Sequence, residues 1–221
     1  VYASNTCHVV FPFRCGSVIP EPVFTRDAYE EQILAPMYGD IGPHDPEGVL
    51  RYEWLNARGA IARFDRSTIE IRILDIQECP LADLAVAELL VHTLQALVAE
   101  TWSSSAQQRQ WEVKPLADIF DRTVKKADLA VIDNREYLQL FGLDSAAATA
   151  GELWRHIRAG LTNEFPLSTE FRVPLDVILK KGSLARRILR QTGNQPLSKS
   201  TLLPTYSRLC HCLAEGKPFT D

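Results

Sequence analysis

Glu70 and Arg72 stand two residues apart in residues 68–75, TIEIRILD, where polar and apolar residues alternate. A period of two predicts a β-strand with Thr68, Glu70, Arg72 and Leu74 on one face and Ile69, Ile71 and Ile73 on the other. Side chains two apart on one strand face are separated by about 6 to 7 Å. At that spacing an acid and a guanidinium can both address one phosphate and its metal ion. Mg²⁺ takes hard oxygen ligands, and Arg offers phosphate oxygens a rigid fork of donors. The same alternation also fits a solvated strand with a charged outer face, where such pairs contribute little.

The elements that must position this pair fall into two regions. Residues 1–78 are rich in β-branched and aromatic residues interrupted by Pro and Gly, which predicts three or four strands and one short helix at 26–34 with Thr25 as its N-cap. Residues 39–48, GDIGPHDPEG, read as a loop. Residues 58–75 read as a hairpin turning near 65–67. If Ala62 opposes Ile71 and Arg63 opposes Glu70, Arg63 joins the charged face; a slip of one residue removes it. From Pro80 the pattern is helical. Pro suits a first helical position, and residues 81–99 are apolar nearly all round, which predicts a buried helix backing the sheet. Further helices are predicted at 115–127, 135–141, 150–161, 175–191 and 202–215, with the polar run 103–110, SSSAQQRQ, as a linker or surface loop.

TIEIRILD, together with upstream Arg58-Gly59-Ala60-Ile61 and the earlier Ala35-Pro36-Met37, resembles the C-terminal part of family 2 glutamate-cysteine ligases and related carboxylate-amine ligases. The family order runs from Ala-Pro through Arg-Gly to Glu-x-Arg, with an Asp three residues on and then a long helix; here that stretch reads DIQECPLADLAVAELLVHTLQALV. The resemblance extends more faintly to the C-terminus. It implies an α+β fold with an antiparallel sheet backed by helices, akin to glutamine synthetase, and a helical C-terminal region. It also implies ATP and Mg²⁺ as cofactors, with Glu70 as a ligand of the ATP-bound metal and Arg72 against the transferred phosphate. Arg58 becomes a candidate for a substrate carboxylate, with a structural ion pair in the hairpin as the alternative, and Arg63 a second candidate on the same face. The substrates would be glutamate and an amine. Where some bacterial members carry Tyr before Ala-Pro, this chain has Leu34, with Tyr38 beyond the pair, which leaves the acceptor open between cysteine and another amine.

Composition bounds the alternatives. The chain has 221 residues, 46% hydrophobic content and a formal net charge of −4, enough for one sizeable core or two small ones and unlike a general nucleic-acid or anionic-membrane binder. No run of 18 apolar residues is present, and no basic stretch precedes an apolar one at the start, so neither a transmembrane helix nor a signal peptide is expected. Five cysteines, an odd number without framework spacing, fit a reducing cytoplasm. His92, in line with Glu88 and Gln95, reads as a solvated helix residue. Val1 is not an initiator and Met37 is the single methionine, so an N-terminal half with the remaining metal-binding acids is expected to be missing, leaving 1–221 inactive alone. Two further classes are a regulatory or structural relative without catalysis and a helix-turn-helix nucleic-acid module at 180–215. The latter rests on KKGSLARRILR, where Lys180, Arg186, Arg187 and Arg190 would otherwise form a solvated basic face.

Overall fold

The computed structural model describes residues 18–161, 165–193 and 198–220. The expected strands before residue 18, and Cys7 and Cys15, lie outside them. The chain is α+β and divides into two compact units, Val1–Asp75 with Trp111–Asp118, and Ile76–Gln110 with Ile119–Asp221.

The first unit opens with α1 (Arg26–Tyr29), a π-helical turn over Glu30–Leu34 and α2 (Ala35–Ile41). Thr25 caps α1 as expected, its hydroxyl accepting from the Ala28 N–H at 3.3 Å. Tyr29, Ile33, Met37 and Ile41 recur every four residues and share one face, burying with Leu34 and Leu55 into a small core. That burial overrides the Gly-Pro signal of residues 39–48. The helix continues through Gly39 to Ile41, and a 3₁₀ turn covers Gly42–His44.

Two strands follow, fewer than expected among the described residues: β1 (Ala60–Arg63) and β2 (Thr68–Ile71), antiparallel around a 3₁₀ turn at Phe64–Arg66. Ser67 closes the turn in the left-handed region at φ 51°. The register pairs Ala62 with Ile69 and Arg63 with Thr68, shifted by two residues from the expected one. A shift of two preserves side-chain parity, so Arg63 still shares the face of Glu70 and Arg72.

The second unit is built on α3 (Pro80–Val98), α4 (Ser105–Arg109), α5 (Val113–Lys126, whose first turns group with the other unit), α6 (Arg135–Gln139), α7 (Ala150–Gly160), α8 (Arg172–Lys181), α9 (Leu184–Thr192) and α10 (Lys199–Glu215). A second small antiparallel pair joins β3 (Val131–Ile132) to β4 (Ala148–Thr149). The core gathers Leu89, Ala96, Ile132, Leu138, Leu153, Ile157 and Leu175 among others. Pro80 holds the first helical position, as read from the sequence.

Three expectations for this unit are corrected. α3 is not buried all round: Ala82, Ala85, Leu89, Thr93 and Ala96 face inward, while Leu84, Val91, Leu94 and Val98 are more than 40% exposed. The small residues at spacings of three and four allow close packing on one side, which leaves the larger aliphatic ones outward. By length and composition alone this helix is long and apolar enough to cross a membrane, a property that counting uninterrupted apolar residues overlooked. The run 103–110 is ordered rather than a loose linker. Ser104 and Gln107 form a capping box, and buried Ser103 donates to the Leu140 carbonyl at 2.9 Å. The long helix expected at 175–191 breaks at Gly182, whose φ of 84° caps α8.

His92 also departs from its expected solvated position. It is half-buried, with its ring 5.9 Å from that of Phe165 and its Nδ1 buried without a hydrogen-bond partner among the described residues.

Candidate functional site

The hairpin brings Arg63, Glu70 and Arg72 into one ionic chain. Glu70 accepts from Arg63 Nη1 on Oε2 and from Arg72 Nε on Oε1, both at 2.7 Å. The guanidiniums hold its carboxyl below the ordinary glutamate range, Arg63 contributing most and Arg72 next, against partial desolvation. Arg63, 7% exposed, also donates to Asp65 at 3.2 Å and lies 3.5 Å from Glu53. Asp65 first and Glu70 second keep the Arg63 guanidinium protonated.

Arg72 is anchored behind this chain. Its Nη1 donates to the Asn56 carbonyl at 2.6 Å and its Nη2 to the Trp54 carbonyl at 3.0 Å, so the fork grips the turn over Glu53–Leu55. Its backbone N–H donates to the Gly59 carbonyl at 2.8 Å, extending the pairing beyond the ladder.

Arg58 is 2% exposed and turned onto Glu21. Its Nε and Nη2 donate to the two Glu21 oxygens at 2.5 and 2.6 Å, and its Nη1 donates to Asn56 Oδ1 at 3.1 Å. Arg58 is thus engaged in an ion pair whose partner comes from before α1 rather than from the hairpin. Gly59 is required beside it by space: a Cβ there would lie 2.7 Å from the Val18 carbonyl oxygen and 2.9 Å from Ile73 Cγ2. Leu34 is buried and Tyr38 packs against the same small core, so both residues flanking Ala35-Pro36-Met37 serve packing.

Glu53 was not legible as a participant. Its carboxylate accepts from the Phe64 N–H at 3.1 Å and the Asp65 N–H at 3.4 Å, fixing the turn that aims Arg63, and desolvation and Asp65 together raise its pKa. No periodicity links residue 53 to residue 64; only the tertiary fold places them together.

One carboxylate here suits a Mg²⁺ ligand. A carboxylate offers about four lone-pair positions, of which the two guanidiniums occupy two, and the Glu70 side chain is 37% exposed. Mg²⁺ at nucleotide sites takes one or two carboxylates and completes its shell with phosphate and water oxygens. Among the described residues no three His, Cys, Asp or Glu side chains gather into a metal cage.

The basic residues of α8 and α9 find partners within the second unit, Arg187 buried and Lys180 and Arg190 still exposed. Arg186 pairs with Asp128 at 2.6 Å, Arg190 donates to the Lys181 carbonyl, and Lys180 pairs with Asp176 at 3.1 Å. Arg187 is fully buried against Glu78, with two hydrogen bonds at 2.6 and 3.2 Å. The same pair clasps the C-terminal segment: Phe219 donates its N–H to Glu78 at 2.7 Å, and its carbonyl accepts from Arg187 at 2.5 Å.

No protein-family model matches the chain. No solved structure matches it. It is similar to a protein of Archaeoglobus fulgidus described as an uncharacterized protein, 29% identical over 150 residues, a stretch that spans 64% of this chain and 40% of that relative.

Proposed function

We propose that this chain carries part of the active centre of an ATP-dependent carboxylate-amine ligase of the glutamate-cysteine ligase type. In the reaction a γ-carboxylate oxygen of glutamate displaces ADP from the terminal phosphorus of ATP. The nitrogen of an amine, cysteine or another acceptor, then attacks the acyl carbon, loses a proton and expels phosphate. The observation that carries this reading is the ionic chain Arg63–Glu70–Arg72 on one face of the hairpin, with Glu70 and Arg72 in the Glu-x-Arg positions of the resemblance. Glu70 would turn its free oxygen positions to the metal that accompanies ATP, and that metal supplies charge neutralisation at the phosphates. Arg72, and Arg63 beside it, would offset charge on the transferred phosphoryl group and hold the acceptor's target in place. Arg58, forked onto Glu21, holds the segment leading into β1; a substrate carboxylate would reach it only by displacing Glu21. The reading places the protein in the cytoplasm, where ATP and reduced thiols are available.

The test is ATP-dependent formation of γ-glutamyl products by the full-length protein, followed by mass spectrometry over a panel of amino acids and simple amines. Glu70→Gln should abolish turnover. Arg72→Lys should lower kcat by about 100-fold to 1,000-fold with a smaller effect on ATP binding, because Lys keeps the charge and loses the fork. Residues 1–221 alone are expected to form no product, and sustained turnover by them would mean that the site is complete in this chain. A second reading, a regulatory relative without catalysis, draws on the commitment of Nε, Nη1 and Nη2 of Arg72 to acceptors of its own chain. It predicts no product from the full-length protein with any acceptor.

A further inference from the structure

α3 presents apolar residues in two opposite directions. Ala82, Ala85, Leu89, Thr93 and Ala96 are buried in the second unit, while Leu84, Ala87, Val91, Leu94 and Val98 are exposed. The outward five recur at alternating steps of three and four, which sets them in one narrow row, the first and fourth positions of a seven-residue repeat. From Leu84 to Val98 the row runs for about 21 Å. The four large side chains, Leu84, Val91, Leu94 and Val98, are 53%, 51%, 41% and 84% exposed, so roughly half of their surface meets water. Single apolar side chains on a surface are ordinary, but a contiguous row of this length marks a face that another element covers.

The charges around the row select what covers it. Between Pro80 and Val98 there is no Lys or Arg; Asp83 and Glu88 are the charged side chains, and His92 is half-buried. Asp83 accepts from the Gln77 N–H at 2.8 Å, and Glu88 accepts from the Ser168 N–H at 3.1 Å and hydroxyl at 2.6 Å, so both acids are held in place. The turn at Thr169–Phe171 and α8, which pack against α3, add exposed Glu170 and Arg172, one charge of each sign. A helix that lies in a lipid surface carries Lys and Arg along its polar side, and α3 carries acids there. A second copy of the same row fits better, because the row itself is uncharged. In a parallel pair Asp83 of one copy falls beside Glu88 of the other, like against like. In an antiparallel pair, about a two-fold axis between Val91 and Leu94, Val91 meets Leu94, the small Ala87 meets the larger Val98, and Glu88 lies beside the neutral Gln95.

We propose that the outward row of α3 is a self-association face, on which two copies of this chain pair with their α3 helices antiparallel. The four large side chains offer on the order of half of the 800 Å² or so that each partner buries in a standard interface, so the dimer is weak and reversible, with a dissociation constant in the tens to hundreds of micromolar. Every residue of the face belongs to the second unit, and the proposal is independent of the ligase reading. The experiment is sedimentation equilibrium of the whole chain from low micromolar to near-millimolar concentration. Each variant is compared with the parent only where its circular dichroism and unfolding midpoint match.

The expected result is a weight-average mass that rises with concentration from 24.8 kDa toward twice that value, as a monomer–dimer equilibrium. Val91→Glu and, separately, Val98→Glu should weaken the dimer about tenfold or more, since each places an unpaired charge in the seam. Both positions are at least half exposed, so the fold of the single chain should tolerate them. Gln95→Lys should tighten the dimer about threefold, because each new cation meets Glu88 of the other copy. Leu203→Glu, at an exposed apolar position of α10, should leave it unchanged. A parent chain that stays monomeric throughout, a mass that climbs past the dimer, a dimer that survives both glutamate substitutions in the row, or one lost in Leu203→Glu would overturn the proposal. Failure of Gln95→Lys to tighten the dimer would overturn its antiparallel arrangement. Sedimentation of the parent with phosphatidylcholine vesicles, abolished by Val98→Glu, would assign the row to a lipid surface instead.

Discussion

The two units each hold a Glu–Arg pairing, and the two behave in opposite ways. In the first unit Glu70 lies between Arg63 and Arg72 with its side chain 37% exposed, so water and a ligand can compete for its oxygens. In the second unit Glu78 and Arg187 are both 0% exposed, and the remaining capacity of the pair is taken by the backbone of Phe219 and the Gly182 carbonyl. Burial alone would raise the Glu78 pKa, but hydrogen bonds from Arg187 and from the Phe219 N–H outweigh it and hold the carboxyl below the ordinary range. The same two residue types thus make an open, rearrangeable cluster in one place and a closed fastening in the other. Burial decides which, because a desolvated pair cannot lose one partner without stranding a charge.

The sharpest way to break the comparison is to remove one partner from each pair and follow unfolding by denaturant. Arg187→Ala should destabilise the second unit by about 3–5 kcal/mol, since it leaves Glu78 buried and uncompensated. Phe219→Ala should cost about 3 kcal/mol, because that ring is fully buried and lies under the Arg208 guanidinium at 5.1 Å. If Arg187→Ala is as mild as a surface substitution, the C-terminal segment is not fastened by this pair; a mild Phe219→Ala would instead show that the ring adds little to the backbone bonds.

Gly59→Ala sits lower on the scale, at about 1–3 kcal/mol, because the new Cβ meets the Val18 backbone and something must shift. A hairpin that accepts alanine with no change in its unfolding midpoint would refute the close approach. Glu70→Gln should have the smallest effect on stability, within about 1 kcal/mol, as part-exposed ion pairs contribute little. A large loss there would make the hairpin cluster a structural fastening like its counterpart.

Acid titration sharpens the same contrast. Both glutamates have folded-state pKa values below their ordinary range. Their contributions are therefore complete above about pH 4.3, the unperturbed glutamate value, and fade as pH falls through the depressed folded value. The fade should be steep for the second unit and slight for the hairpin. Comparing near-ultraviolet circular dichroism of the parent and Glu78→Gln between pH 5 and 2 measures it, and identical acid transitions would count against the fastening role.

Legibility from sequence followed the range of the forces involved. Thr25 as a cap, Pro80 as a helix start, the hairpin turn and most helix positions were readable because each depends on neighbours within a few residues. The common face of Glu70 and Arg72 was readable as well, and Arg63 was readable on it only conditionally: the register differs from the expected one by two residues, which keeps strand parity, where a shift of one would have removed it. The run 103–110 was misread because its polar side chains satisfy distant backbone groups, as Ser103 does at Leu140. α3 was misread because composition states how apolar a helix is but not which side its neighbours can approach.

By itself, then, the sequence determined the α+β class, the placement of Glu70 and Arg72 on one strand face, with Arg63 joining them only for a register of the right parity, and the resemblance from which a ligase reading is proposed. Only the tertiary structure decided that Arg58 is forked onto Glu21, that Glu53 steadies the turn beneath Arg63, and that Arg187 is sealed against Glu78 beside Phe219. Those pairings join residues 11 to 109 positions apart. No local periodicity encodes them, and each forms because a charge withdrawn from water must find its counter-charge wherever the folded chain has placed it.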